Sequence, residues 1–143
     1  MLVKQISVFL ENKIGRLAEI TELLGQNRIN IRALAIADTT EFGILRLIVD
    51  NPQKAQKILE EEGFTAKQTD VIVVKVADRP GGLSEILKAL KDFSLNVEYL
   101  YAFVKQSGEN ALVVFRIEDT QKALDIFREK GVEIVSPEEI YKL

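Results

Sequence analysis

Asp78-Arg79-Pro80-Gly81-Gly82-Leu83 restates Asn12-Lys13-Ile14-Gly15-Arg16-Leu17, and this echo decides the fold. Gly15 and Gly81 stand 66 residues apart, as do Leu17 and Leu83. The correspondence continues through Glu19-Ile20 and Glu85-Ile86, Leu24 and Leu90, Asn30 and Asn96, Leu34 and Leu100. After a shift of two residues it resumes with Gln53-Lys54-Ala55 and Gln121-Lys122-Ala123, then reaches Gly63 and Gly131. One duplication of this length makes two copies of a small domain, 1–70 and 71–143, and not a many-repeat solenoid. Units of about 70 residues bury little surface alone, so packing against each other or homodimerisation is expected. A surface between paired domains is where function is sought.

Periodicity supplies the elements. Residues 3–10 alternate and are rich in β-branched and aromatic side chains, which reads as a strand. Leu17, Ile20, Leu23 and Leu24 then recur at helical spacing to about Asn27. Strands follow at 29–37 and 43–50. Asn51-Pro52 opens a second helix as N-cap and first helical residue, and Gly63 ends it. A short strand from Phe64 completes β-α-β-β-α-β. The second copy repeats the order: strand 71–77, helix 82–93, strands 95–105 and 111–118, helix 120–130, strand 132–135. Its hairpin, Gln106-Ser107-Gly108-Glu109-Asn110, is two residues longer than the one at Thr39-Thr40-Glu41, which accounts for the shift. Ser136-Pro137-Glu138-Glu139 predicts one last helical turn. Lys67-Gln68-Thr69-Asp70 joins the copies with no flexible linker, which predicts fixed relative placement. The fold class is α+β: two ferredoxin-like units in tandem, each an antiparallel four-stranded sheet with helices on one face.

Absences narrow the chemistry. The chain has no Cys and no His, which removes thiolate catalysis, Cys-ligated metals and the commonest general base. A net charge of −3 offers no cationic stripe for nucleic acid. The longest apolar runs, such as Ala111–Phe115, are far too short for a bilayer, and the N-terminus lacks an unbroken apolar core. A cytoplasmic protein without cofactor, metal or catalytic residue is expected, binding neither nucleic acid nor membrane.

The turn before each first helix is the densest feature. Gly15 and Gly81-Gly82 permit positive φ or close backbone approach, while Asn12 and Asp78 can hold the turn or cap the helix. Backbone N–H groups at a helix start also attract a carboxylate. These turns, each followed by an amphipathic helix and then Ile29-Asn30-Ile31 or Leu95-Asn96-Val97, closely resemble the ACT domain over essentially the whole chain. The resemblance implies a small ligand-sensing module that works in pairs and binds a free amino acid to regulate metabolic enzymes. In amino-acid-binding members, polar residues of the turn and an Asn opening the second strand face each other across a domain pair. The matching ligand-binding positions are Asn12, Ile14, Gly15, Arg16, Leu17 and Asn30 in copy one. In copy two they are Asp78, Pro80, Gly81, Gly82, Leu83 and Asn96. The two sets differ in charge, stiffness and reach, so inequivalent sites are expected. Arg16 is expected to point into water.

In the second strands Ala33, Ala35 and Ala37 stand where copy two has Tyr99, Tyr101 and Phe103. Each trio shares one face, and core packing is favoured over a ligand cavity walled by tyrosines. The leading reading is a non-catalytic amino-acid-binding regulatory protein, with a homodimer and a metabolic enzyme as partners. A regulatory subunit of an amino-acid biosynthetic enzyme, such as acetolactate synthase, is the related alternative. A small acyl-phosphate hydrolase of ferredoxin-like fold is the rival from another class; it would need a phosphate cradle with an available Arg.

Overall fold

The computed structural model describes residues 2–38, 41–103 and 108–143. Elements follow in the order β1 (Val3–Glu11), α1 (Arg16–Gln26), β2 (Ile31–Asp38), β3 (Phe42–Val49), α2 (Pro52–Glu61) and β4 (Thr65–Ala77). Then come α3 (Gly82–Asp92), β5 (Val97–Ala102), β6 (Asn110–Ile117), α4 (Thr120–Glu129) and α5 (Pro137–Tyr141). Thr39, Thr40, Gln106 and Ser107 of the expected hairpins lie outside the described residues, as do positions 104 and 105 of the expected strand.

The chain forms two compact units. One comprises Lys4–Thr69 with Tyr141–Leu143; the other comprises Asp70–Ile140 with the chain start up to Val3. In the first, β3 lies between β1 and β2, antiparallel to both, with Val8 opposite Leu45 and Leu34 opposite Leu47. Strand alternation sends Ile6, Val8, Leu10, Leu45, Leu47 and Val49 to one face, where Ile20 and Leu24 of α1 and Ala55 and Leu59 of α2 cover them. Each such apolar side chain contributes about 1.5–3 kcal/mol by leaving water. The second unit repeats the plan. β6 lies between β4 and β5, and Ile72, Val74, Phe115 and Ile117 meet Ile86 and Leu90 of α3 and Phe127 of α4. The Phe115 and Phe127 rings pack at 6.0 Å between centroids, tilted by 58°.

Caps set the helix limits as the sequence indicates. The Asn51 side chain accepts from Lys54 N at 3.2 Å, Asp119 from Lys122 N at 3.1 Å, and Ser136 from Glu139 N at 3.3 Å.

Several boundaries differ from the sequence reading. β2 and β5 start two residues late, because Ile29 N and Leu95 N still donate to Leu24 O and Leu90 O while the chain leaves the helix. The strand from Phe64 and the strand at Val71–Ala77 are one continuous β4, so Lys67–Asp70 is strand and not connection. The expected strand Val132–Val135 reduces to a single bridge from Ile134 to Val74, flanked by Lys75 N to Glu133 O and Val135 N to Val73 O.

Both chain ends are tied in. Leu2 packs against the apolar cluster of the second unit. In the first unit, Lys4 N donates to the Tyr141 hydroxyl at 3.3 Å, and Arg32 Nη2 donates to Tyr141 O at 3.1 Å.

Candidate functional site

The two turns use the same backbone hydrogen bonds. Asn12 N donates to Glu41 O at 2.9 Å and Asp78 N to Glu109 O at 3.1 Å, which fastens each turn to the neighbouring hairpin. Lys13 N reaches back to Glu11 O and Arg79 N to Ala77 O, at 2.8 and 2.9 Å. Gly15 and Gly81 then adopt left-handed φ values of 88° and 84°, which cost least where there is no Cβ. Each glycine is the N-cap of its helix, and neither helix start receives a side-chain cap. The left-handed glycine, and not Asn12 or Asp78, occupies the N-cap position of each helix. First-turn N–H groups with no side-chain cap, at the positive end of a helix dipole, suit a carboxylate.

Gly82 is needed for a different reason. A Cβ on it would lie 2.0 Å from Ala77 O, so the start of α3 presses against the end of β4. Copy one carries Arg16 at this place, and its turn is looser: Arg16 N to Lys13 O spans 3.3 Å, against 3.0 Å for Gly82 N to Arg79 O.

Arg16 is not simply solvated. Its guanidinium donates to Glu19 at 3.2 Å and lies 3.9 Å from Glu11, while Lys13 pairs with Glu11 at 2.6 Å. The Lys13 ammonium, hydrogen-bonded to Glu11, holds that carboxyl below its usual range. In copy two the arginine has moved to Arg79, whose Nη2 donates to both Glu85 oxygens at 2.9 and 3.1 Å. Each copy thus sets an arginine on the equivalent first-turn glutamate, from a different position. Both guanidinium groups are engaged by carboxylates, which disfavours the phosphate cradle of an acyl-phosphate hydrolase. Of the other expected residues, Ile14 and Pro80 are exposed, Leu17 is 38% exposed, and Leu83 packs partly against the core.

Asn30 and Asn96 are exposed, and their side chains make no hydrogen bond among the described residues. The backbone of Asn30 is fastened: its N–H donates to Asp50 Oδ1 at 3.0 Å, and Asp50 N donates back to Asn30 O at 3.1 Å. Neither Asn shapes the helix exit. The left-handed residues there are Arg28 and Ser94, at φ 59° and 57°. The amides are therefore free for another task.

Within one unit these groups are not brought together. α1 has eleven residues and separates Asn12 from Asn30 by about 16 Å of helix. α3, of the same length, separates Asp78 from Asn96. Asn12 sits beside the hairpin end of the sheet and Asn30 beside Asp50 at the other end.

A family description, ACT domain pair, matches residues 1–143. The chain belongs to the ACT domain pair family. A crystal structure of a protein from Bacteroides thetaiotaomicron is similar over all of this chain and 98% of its own, at 40% identity and a TM-score of 0.94. The ligand-free regulatory subunit of aspartate kinase from Thermus thermophilus shares the fold at 18% identity and a TM-score of 0.65, over 90% of this chain and 93% of that one. Among curated proteins, no sequence matches. ACT pairs are regulatory domains, and no helix here is long and apolar enough to cross a membrane among the described residues.

In this ACT pair the tyrosines of β5 lie away from the helices. Tyr99 and Tyr101 pair with Arg116 and Val114, on the face opposite Val113 and Phe115, and Tyr101 is 8% exposed. Burial of that ring supports packing over a ligand wall. The residues that sequence reasoning missed are Asp50, which fastens Asn30, and Glu19 with Glu85, which hold the arginines. The second pair was visible in the repeat; the first depends on strand register.

Proposed function

We propose that this ACT pair is a non-catalytic sensor that binds a free amino acid and regulates a metabolic enzyme. The observation that carries the reading is the pair of exposed asparagines, Asn30 and Asn96, whose amides have no partner among the described residues, with the Asn30 backbone held by Asp50. A zwitterion needs donors for its carboxylate and acceptors for its ammonium group. The helix starts at Gly15 and Gly81 offer the first, and the Asn side-chain oxygens with Asp78 offer the second. Because α1 separates Asn12 from Asn30, a complete site takes its turn from one chain and its asparagine from a second copy. That requirement supports a homodimer. Copy two adds the negative charge of Asp78, so its site favours the ammonium end of a ligand more than copy one does. The partner enzyme fits the regulatory-subunit reading, since the aspartate kinase subunit above is named for that role. A cytoplasmic setting follows from free amino acids and metabolic enzymes being there.

A thermal-shift screen against the standard amino acids tests the reading. Ligand at a hundred times its dissociation constant stabilises the native state by about 2.7 kcal/mol. Asn30→Ala is expected to remove most of the shift at its site, since a ligand group left unpaired costs about 1–3 kcal/mol, and to leave the ligand-free melting temperature nearly unchanged. A fall in ligand-free stability with affinity intact would show that Asn30 is structural.

A further inference from the structure

Glu22 and Glu62 line one groove of about 250 Å³ in the unit Lys4–Thr69, between α1 and the turn that joins α2 to β4. Leu23 and Phe64, both partly buried against the core, are its apolar walls. The two carboxylates are exposed. Glu22 accepts from the neutral amide of Gln26 at 3.4 Å, and Glu62 has no partner among the described residues. Glu19 also lines the groove, but Arg16 neutralises it at 3.2 Å.

The place of Glu62 is unfavourable for the helix it ends. It is the C-cap of α2 and follows Glu60 and Glu61, so three carboxylates stand at the negative end of the helix dipole, with no basic residue in the last turn. A cation brought from outside the unit relieves that repulsion.

Duplication supplies such cations. Glu22 corresponds to Lys88, and Glu62, directly before Gly63, corresponds to Lys130, directly before Gly131. Both charges of the groove are therefore reversed at the same places of the same fold. Lys130 is the C-cap of α4, with Arg128 in the last turn before it. Its ammonium stands 5.7 Å from the centroid of the Phe93 ring, and Lys88 is exposed. None of Glu22, Glu62, Lys88 and Lys130 forms an ion pair among the described residues, so these complementary charges are left to meet between chains.

We infer that this groove docks on the α3–α4 surface of a second copy of the chain, where Lys88 and Lys130 meet Glu22 and Glu62. A lysine stem lies along Leu23 and Phe64 while its ammonium reaches a carboxylate. A two-fold axis that makes this contact once makes the reverse contact as well, so a closed dimer contains it twice. The charges fix which unit meets which, because two first units or two second units would bring like charges together. The contact uses neither asparagine nor either helix start, and it stands or falls separately from the amino-acid reading.

Charge exchange tests the contact on the full chain, by sedimentation equilibrium at about 20 mM and about 500 mM salt. The wild-type chain should associate at low salt, with a dissociation constant about tenfold higher at high salt. Glu22→Lys with Glu62→Lys, and Lys88→Glu with Lys130→Glu, should each weaken self-association at least about tenfold, since like charges then face each other. An equimolar mixture of these two variants, and a chain carrying all four substitutions, should associate as the wild type does. Unchanged association of both double variants, failure of their mixture to associate, or a wild-type chain that stays monomeric at about 1 mM and low salt would each overturn the assignment. All four positions are exposed, and melting curves check that each variant folds. If a double variant does not, Glu22→Gln with Glu62→Gln decides: association should weaken and lose its salt dependence, and unchanged association would overturn the contact.

Discussion

Replacing Gly82 by alanine adds one methyl group where the structure has no room for it. The new Cβ would stand 2.0 Å from Ala77 O, whereas ordinary contact begins at 3.4 Å, so backbone must move by more than an ångström. The obstacle is a main-chain carbonyl at the end of β4, which cannot swing aside as a flexible side chain would. Overpacking of this kind costs about 1–3 kcal/mol. Against it stands the usual gain of about 0.5–1 kcal/mol when alanine replaces glycine in a helix. The net expectation is a loss of roughly 1–2 kcal/mol, or several degrees in melting temperature for a chain of this size. Urea denaturation followed by circular dichroism reads it directly, as a lower midpoint at unchanged m-value. Arg16→Ala in the first unit is the control. That position already carries a Cβ, so only the exposed contacts with Glu19 and Glu11 are lost, and the change should stay within about 1 kcal/mol. A rise in the Gly82→Ala midpoint would refute the argument, because it would mean that helix propensity decides and the close approach does not.

Other consequences are equally accessible. Calorimetry with the amino acid found by screening should give two clearly different affinities, or fewer than two sites per chain, because Asn12, Ile14 and Arg16 become Asp78, Pro80 and Gly82; two identical independent sites would refute inequivalence. The halves 1–70 and 71–143, expressed separately, should melt early or self-associate, since the first loses its bonds to Tyr141 and the second loses Leu2 from its apolar cluster; two stable monomeric halves would contradict this. Glu11 should titrate below the ordinary glutamate value of about 4.3. Because its folded pKa is depressed, its contribution is present above the unfolded value and lost as pH falls through the folded one. Lys13→Met should return Glu11 to the ordinary range by NMR titration. Lys75 is the opposite case: its bond to Glu133 raises its pKa, so that contribution is present below the unfolded value and lost as pH rises through the folded one.

By itself the sequence determined what depends on near neighbours. Repetition of the Gly15 and Gly81 turns gave two domains, and those glycines are left-handed because a tight strand-to-helix turn demands a φ that other residues resist. Asn51-Pro52 and Ser136-Pro137 placed helix starts, since a cap and a fixed φ act within three residues. The ACT resemblance rested on the same local motifs. Tertiary structure decided what depends on contacts distant along the chain. Phe9 and Glu11 share a sheet face with Phe42 only because strand register sets Glu11 opposite Phe42. Asn30 is released from shaping its turn because Arg28 takes the left-handed position and Asp50, twenty residues on, holds the backbone. Gly82 reads alike as a flexible or a crowded residue until Ala77 O is seen beside it. Periodicity reports which face of an element is apolar, but not which partner arrives there. Register and packing settle that across the whole fold.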